Sequence, residues 1–305
     1  MSHVIPHPQK LENNMRICAI LLDYRGAERT TKCLESLAGQ GLSTAIIVDN
    51  SEDDVSSTQL KNNIAKLDTT TLGYQIRLVT AQENLGFANG INFAVSNDRD
   101  SSHPHDYYLI INNDATAQIG LVEKLYLALL KEEEVLLTAP CILTPETEEC
   151  GAWYNRYLGL VTKKRIPFSF QYASGCCMMF GNSLAAEREI FDPDFFMYCE
   201  DAFLCWKLTR KKQEFRLVTD AHVEHETGAS SKKAGIFYEY HIARGHILMA
   251  VKTFNSPLEI PLMLISKLLT LVLRSIVRCI RYRSLVPAYA LLLACCPSGI
   301  KIRNP

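Results

Sequence analysis

Apolar side chains along this chain fall into short continuous runs, separated by segments of helical spacing. Residues 17–22, 45–48, 76–79, 107–111 and 135–139 are runs of strand length. Residues 30–37, 60–67 and 121–130 place apolar groups three and four apart, which predicts helices between them. A glycine-containing turn over residues 84–92 is expected to lead into a further helix through Val95. Strands that are continuously apolar predict a mostly parallel sheet covered by helices on both faces. The runs end in polar groups: Asp23, Asp49 and Asn112-Asn113-Asp114. In open α/β sheets that carboxyl edge is where ligands bind. One such acid is as readily a loop carboxylate, but three at successive strand ends are harder to dismiss.

Beyond residue 140 the pattern loosens. Residues 141–167 are irregular, with Trp153, Tyr154 and Tyr157 close together, an aromatic group that suits local core better than a sugar platform. Residues 172–180 predict a strand and residues 202–208 a helix, with Glu200 and Asp201 at the helix start, where the dipole favours carboxylates. Those two acids are capping groups or, beside a cleft, a general base. Residues 215–218 predict another strand, followed by His222 and His225. His225 is either a metal ligand or a solvated histidine.

The last fifty residues differ in kind. Residues 258–296 are rich in apolar side chains, but charges interrupt every run before the roughly 20 residues a spanning helix needs. At about 100° per residue, Lys267, Arg274, Arg278 and Arg281 share one narrow face, with Leu268, Leu269, Leu271, Val272, Ile276 and Val277 on much of the rest. A basic amphipathic helix of this kind is expected to lie on an anionic membrane surface; the other expectation is packing against the body or in a homo-oligomer. Pro287 limits the length of a second apolar segment, 285–296.

Charge sharpens this division. The formal net charge of -1 conceals an acidic body, 25 basic against 33 acidic residues up to Glu259, followed by seven basic residues and no acid. Nothing in this balance suggests a nucleic-acid partner. With 305 residues and 48% hydrophobic content the chain folds around a sizeable core. Eleven cysteines without a Cys-x-x-Cys pair are expected as small buried hydrophobes in a reducing compartment. Residues 1–14 lack an apolar core, so they predict a flexible arm and no signal peptide.

Taken in order, Asp23-Tyr24, Asp49-Asn50, the 84–92 stretch, Asn112-Asn113-Asp114, the 195–201 stretch ending in Glu200-Asp201, and His225-x-x-Gly228 resemble glycosyltransferase family 2, and within it the bacterial rhamnosyltransferase-like branch. The resemblance covers roughly residues 15–250. It implies a GT-A fold (a nucleotide-diphospho-sugar transferase fold, α/β) over 15–254; the helical pattern described above makes 255–305 a membrane-associating extension. It further implies inverting transfer from a nucleotide-diphosphate sugar, with Asp23, Tyr24, Asp49, Asn84, Gly86, Asn92 and Asn113 at the nucleotide sugar. Asp114 and His225 would hold a divalent Mg²⁺ or Mn²⁺, and Asp201 would be the base. The implied donor is dTDP-rhamnose, or else another UDP- or GDP-hexose. The implied acceptor is a lipid-linked or cell-surface polysaccharide hydroxyl, reached from the cytoplasmic, inner face of the plasma membrane.

Phe203, where relatives carry an acid, and Gly245, where they carry asparagine, depart from the family pattern. They motivate a rival, a catalytically degenerate partner in polysaccharide assembly. A sugar nucleotidyltransferase, the other rival, would want a basic glycine-rich loop after the first strand, and Asp23-Tyr24-Arg25-Gly26 supplies little of it.

Overall fold

The computed structural model describes residues 15–225 and 235–296. Residues 1–14, Gly228, Lys301 and Arg303 lie outside them. In chain order the elements are β1 (Ile17–Asp23), α1 (Ala27–Ser36), β2 (Thr44–Asp49), α2 (Asp54–Ile64), α3 (Thr69–Leu72), β3 (Gln75–Thr80), α4 (Gly86–Arg99), β4 (Tyr107–Ile111), β5 (Ala115–Ala117), α5 (Leu121–Leu129) and β6 (Val135–Leu143). They continue with β7 (Glu148–Glu149), β8 (Ala152–Asn155), β9 (Val161–Thr162), β10 (Ser169–Tyr172), β11 (Cys177–Gly181), α6 (Asn182–Ala185), α7 (Glu200–Arg210), β12 (Glu214–His225), α8 (Ile236–Lys252), α9 (Ile260–Tyr282) and α10 (Val286–Ala294).

The main sheet runs β3-β2-β1-β4-β11-β6-β12-β5, with β7 on the side of β6. Its first four strands are parallel, and β11 enters antiparallel between β4 and β6. Successive residues of each strand feed opposite faces: Ile17, Ala19 and Leu21 join one core layer, Cys18 and Ile20 the other. That two-sided burial is why the strands are continuously apolar in sequence. The fold is GT-A, a mixed, mostly parallel α/β sheet followed by helices.

Differences from the sequence pattern have local causes. The irregular stretch after residue 141 contains a separate three-stranded sheet, β10-β8-β9, whose strands are too short to show a period. The strand expected over 172–180 is two strands, β10 and β11, in different sheets. Most of the stretch expected as a turn at 84–92 is the first half of α4. The cysteines are mostly buried and free, as expected, but Cys141 and Cys150 form a disulfide across the β6–β7 hairpin.

The largest correction concerns α9. Three of its four basic residues, Lys267, Arg274 and Arg278, face inward, while Arg281 stays exposed. Arg274 Nη1 lies 2.7 Å from Glu239 Oε2, Arg278 Nε pairs with Glu239 Oε1, and Glu239 is buried on α8. Lys267 is buried with its Nζ 5.2 Å from the centre of the Tyr154 ring, and burial pulls its pKa down to about 7. The apolar stripe is therefore the outer one. Pro257–Tyr282, at a mean hydropathy of 1.9, is also long and apolar enough to cross a membrane by length and composition, contrary to the count of uninterrupted runs. Its inward charges are engaged with α8 and the small sheet instead.

Candidate active site

The parallel register of β1, β2 and β4 lines up their carboxyl ends, Asp23 opposite Asp49 and Ile20 opposite Ile110. The two aspartates then turn back into the protein. Asp23 is fully buried and accepts from Gly26 N at 3.2 Å, Thr30 Oγ1 at 2.5 Å and Asn113 Nδ2 at 3.4 Å. Burial pushes its carboxyl up, and those hydrogen bonds oppose the shift. Asp49 accepts from Ser51 N at 3.0 Å and Ser57 Oγ at 2.5 Å. Both acids hold the strand-end turns from behind, and neither lines the cleft in front of them.

That cleft has an empty volume of about 740 Å³, counted out to its mouth. Tyr24, Asn84, Gly86, Asn113 and Asp114 line it, as the sequence suggested. Asn50, Phe87, Asn112, Phe196 and Met197, from the same motifs, line it too, as does Phe237, which lies outside all of them. Phe237 comes from α8, so no local signal could have found it. Asn50 had a signal, its place at a strand end. Its Nδ2 donates to Gly86 O at 3.2 Å and its Oδ1 accepts from Leu85 N at 3.4 Å, fixing the start of α4 to β2.

Gly86 is required twice over. Its φ is +70°, and a Cβ there would sit 2.3 Å from the Phe196 carbonyl oxygen. The same carbonyl accepts from Phe87 N at 2.7 Å. Asn84 Oδ1 accepts from Gly86 N at 2.9 Å, closing the turn. Asn92 is elsewhere: one helical turn and more into α4, it donates to Phe191 O at 2.7 Å and accepts from Phe191 N at 3.1 Å. Its amide anchors the 191–196 segment rather than facing the cleft.

Asp114 and His225 are brought together by strand pairing. β5 runs antiparallel to β12 with Ala115 opposite His225, which sets His225 Nε2 3.1 Å from Asp114 Oδ1. Asn112 Nδ2 is 3.5 Å from the same nitrogen. Two donors about 3 Å apart match neighbouring ligands at about 2.1 Å around one ion. His222, at odd spacing from His225, points elsewhere and meets Glu148 Oε1 at 3.1 Å. Cys141, Glu148 and His222 also cluster, but the Cys141 sulfur is committed to Cys150.

Glu200 and Asp201 open α7, as the spacing predicted. The chain reaches them through two left-handed residues, Tyr198 at φ +68° and Cys199 at φ +71°. Gly245 of α8 passes so close that a Cβ would lie 2.7 Å from Tyr198 O. Asp201 Oδ2 accepts from Gly175 N at 3.0 Å and Oδ1 from Ala202 N at 2.7 Å. Burial raises its carboxyl, against the pull of those donors. Glu200 is buried, and burial, then the neighbouring Asp201 charge, pushes it well above the usual carboxylate range. Among the described residues its Oε2 has no hydrogen-bond partner. Asp201 stands outside the cleft lining, near Phe87: a Cβ on Gly175 would lie 3.3 Å from the Phe87 ring and 3.4 Å from Asp201 Cβ.

The protein is thus a GT-A sheet with a cleft at its carboxyl edge and an Asp–His pair beside it. The chain belongs to glycosyl transferase family 2, whose profile matches residues 20–188. It is a nucleotide-sugar glycosyltransferase of a family whose members invert the anomeric centre. The matched stretch holds the cleft through Asp114 and ends before Asp201 and His225. No curated protein matches. Among solved structures, the mannosyltransferase PcManGT from Pyrobaculum calidifontis, in complex with GDP-Man and Mn²⁺, superposes with a TM-score of 0.55 at 15% identity, covering 98% of this chain and 79% of that one. GalNAc-T7 with UDP, GalNAc and Mn²⁺ superposes at 0.54 and 10% identity, covering 92% of this chain and 61% of that one. At these identities the likeness is one of fold.

Proposed function

We propose that this transferase moves a sugar from a nucleotide-diphosphate donor in the 740 Å³ cleft to an acceptor hydroxyl activated by Asp201. The observation that carries the proposal is the convergence of the Asp114–His225 pair on the rim of a cleft already lined by Tyr24 and Asn113. Tyr24 offers a ring face to the base, and Asn113 faces the ribose. Asp114 and His225 are the residues that would hold a Mg²⁺ or Mn²⁺, and the presence of Mn²⁺ in both structural neighbours supports a divalent ion. Such an ion, when bound, neutralises charge developing on the departing phosphates.

The chain's own residues do the rest. Asp201, its carboxylate fixed by two backbone N–H groups, takes the proton from the acceptor hydroxyl. That oxygen attacks the anomeric carbon, and the sugar–phosphate bond breaks on the opposite face, inverting the centre. The raised pKa moves the base toward neutrality, where proton transfer is most effective. Asp23 and Asp49 hold the turns that carry Tyr24 and Asn50, a supporting part rather than contact with the base.

For the donor we infer dTDP-rhamnose from the rhamnosyltransferase-like order of motifs. GDP- or UDP-hexoses are the alternative, in line with the GDP-Man and GalNAc of the neighbours. For the acceptor we infer a lipid-linked or surface-polysaccharide hydroxyl at the cytoplasmic face of the plasma membrane, with the outward apolar stripe of α9 as support. The two departures that motivate the degenerate rival have structural parts of their own. Phe203 is core, packed 5.5 Å from the Phe195 ring, and Gly245 is where α8 needs no side chain.

The test is a thermal-shift panel of dTDP-, UDP- and GDP-sugars with and without Mn²⁺. One nucleotide should raise the melting temperature in a metal-dependent way, and Asp114→Ala should abolish the metal dependence. No shift with any donor, from folded protein, would overturn the reading.

A further inference from the structure

Two surfaces far apart in sequence meet beside α9. The turns around β9 present Leu158, Leu160 and Phe168 to solvent, Phe168 at 68% exposure. Leu158 and Phe168, with Tyr157, Ile166, Pro167 and Leu262 of α9, line an open, nearly all-apolar groove. The joint is fixed: Ser266 Oγ donates to Tyr157 O at 2.7 Å, and Arg156 Nη2 pairs with Glu259 Oε2 at 2.6 Å. From Leu262 the apolar surface continues along α9 through Ile265, Leu269, Leu273, Ile276 and Ile280, all exposed and three or four residues apart. A contiguous apolar surface of this kind marks an interaction site.

Charge decides what covers it. Residues 150–186 contain no Asp or Glu, and neither do residues 260–305. Lys163, Lys164 and Arg165 are exposed at the turn after β9, and Arg281 and Arg283 at the far end of α9. The Lys163–Glu149 pair, 3.4 Å apart and well exposed, neutralises little of this. A second copy of this chain on the same face would set basic groups against basic groups. A bilayer with anionic headgroups supplies the missing negative charge, and its acyl boundary takes the apolar stripe.

We propose that the β8–β10 turns are a second membrane-docking element, seating Leu160, Phe168 and the Lys163–Arg165 cluster on an anionic bilayer alongside α9. The proposal rests on the membrane-peripheral reading above and adds to it. A helix resting on one apolar stripe can roll about its long axis. A second contact tied to it through Arg156–Glu259 and Ser266–Tyr157 stops the roll and gives the cleft one orientation to the surface.

The test is flotation of the full chain with phosphatidylcholine vesicles, with and without phosphatidylglycerol, for the wild type and three variants. L160S/F168S strips the apolar tip, K163E/K164E/R165E reverses its charge, and L269S/L273S strips α9. All the altered side chains are exposed, so melting temperature and nucleotide binding should hold. The wild type should float with the anionic vesicles. The charge reversal should lower binding to them about a hundredfold, and L160S/F168S should lower it about tenfold. If both tip variants float like the wild type while L269S/L273S does not, the second element is wrong and the peripheral reading stands. If the wild type floats with neither vesicle, both fail. A wild-type dimer that L160S/F168S makes monomeric, without flotation, assigns the face to a second copy instead.

Discussion

The cleft and the C-terminal helices both hold charge away from solvent, and they satisfy it with different partners. At the sheet edge Asp23, Asp49 and Asp201 each draw on backbone donors, Gly26 N, Ser51 N, and Gly175 with Ala202 N, and neutral side chains (Thr30 and Asn113, Ser57) complete the first two. In the helices the buried charges are held by each other, Glu239 between Arg274 and Arg278. Strand-end turns and helix starts have free N–H groups, whereas a helix interior has used all of its own. Charge inside a helical layer must therefore bring a side-chain partner or go without. Lys267 goes without: among the described residues its Nζ has no hydrogen-bond partner.

The comparison can be broken by substitution. Asp201→Asn should leave folding and nucleotide-dependent thermal shift intact and lower transfer by about 10²–10⁴-fold, read as initial rates. Unreduced transfer would remove the base from the account. Glu239→Ala should destabilise by about 3–5 kcal/mol in urea unfolding, because two arginines then face each other without their partner. A loss below about 1 kcal/mol would mean that the pair is solvent-satisfied.

Within α9, Leu271→Ala should cost about 2–4 kcal/mol, since this side chain is buried against α8 and α10. Leu273→Ser, two residues on and facing out, should change stability by less than about 0.5 kcal/mol. Equal effects would contradict the inward turn of the basic stripe.

The smallest effects are in pH. Lys267 has a folded pKa of about 7, below its ordinary 10.5, so the unfolded chain holds more protons between those values. Wild-type stability should rise with pH across that window, and Lys267→Met should flatten the slope. Glu200 has the opposite sense. Its raised pKa means the folded state keeps a proton that the unfolded chain loses, so stability falls as pH rises above the ordinary glutamate range. Glu200→Gln should melt higher than the wild type at neutral pH, with the difference closing in acid. Melting curves over pH read both.

The cleft at the strand ends was legible because its residues are local. Asp23 and Asp49 directly follow an apolar run and Asp114 comes three residues after one, and a strand end is a position that sequence reports. What the run does not report is where a side chain turns. Asp23 and Asp49 face back into their own turns, and Asn92 is taken up by Phe191, a residue 99 positions away. Phe237, from a distant helix, completes the cleft for the same long-range reason. The small sheet escaped notice because strands of two to four residues are shorter than the period that would reveal them.

The sequence by itself determined the alternation of strands and helices, the polar ends that make a ligand edge, the acids that open α7, and the amphipathic character of α9. Tertiary structure decided direction. Periodicity divides a helix into two faces, but which one is inside depends on what waits there. Here a buried glutamate on α8 draws Arg274 and Arg278 of α9 inward and leaves Leu269 and Leu273 outside.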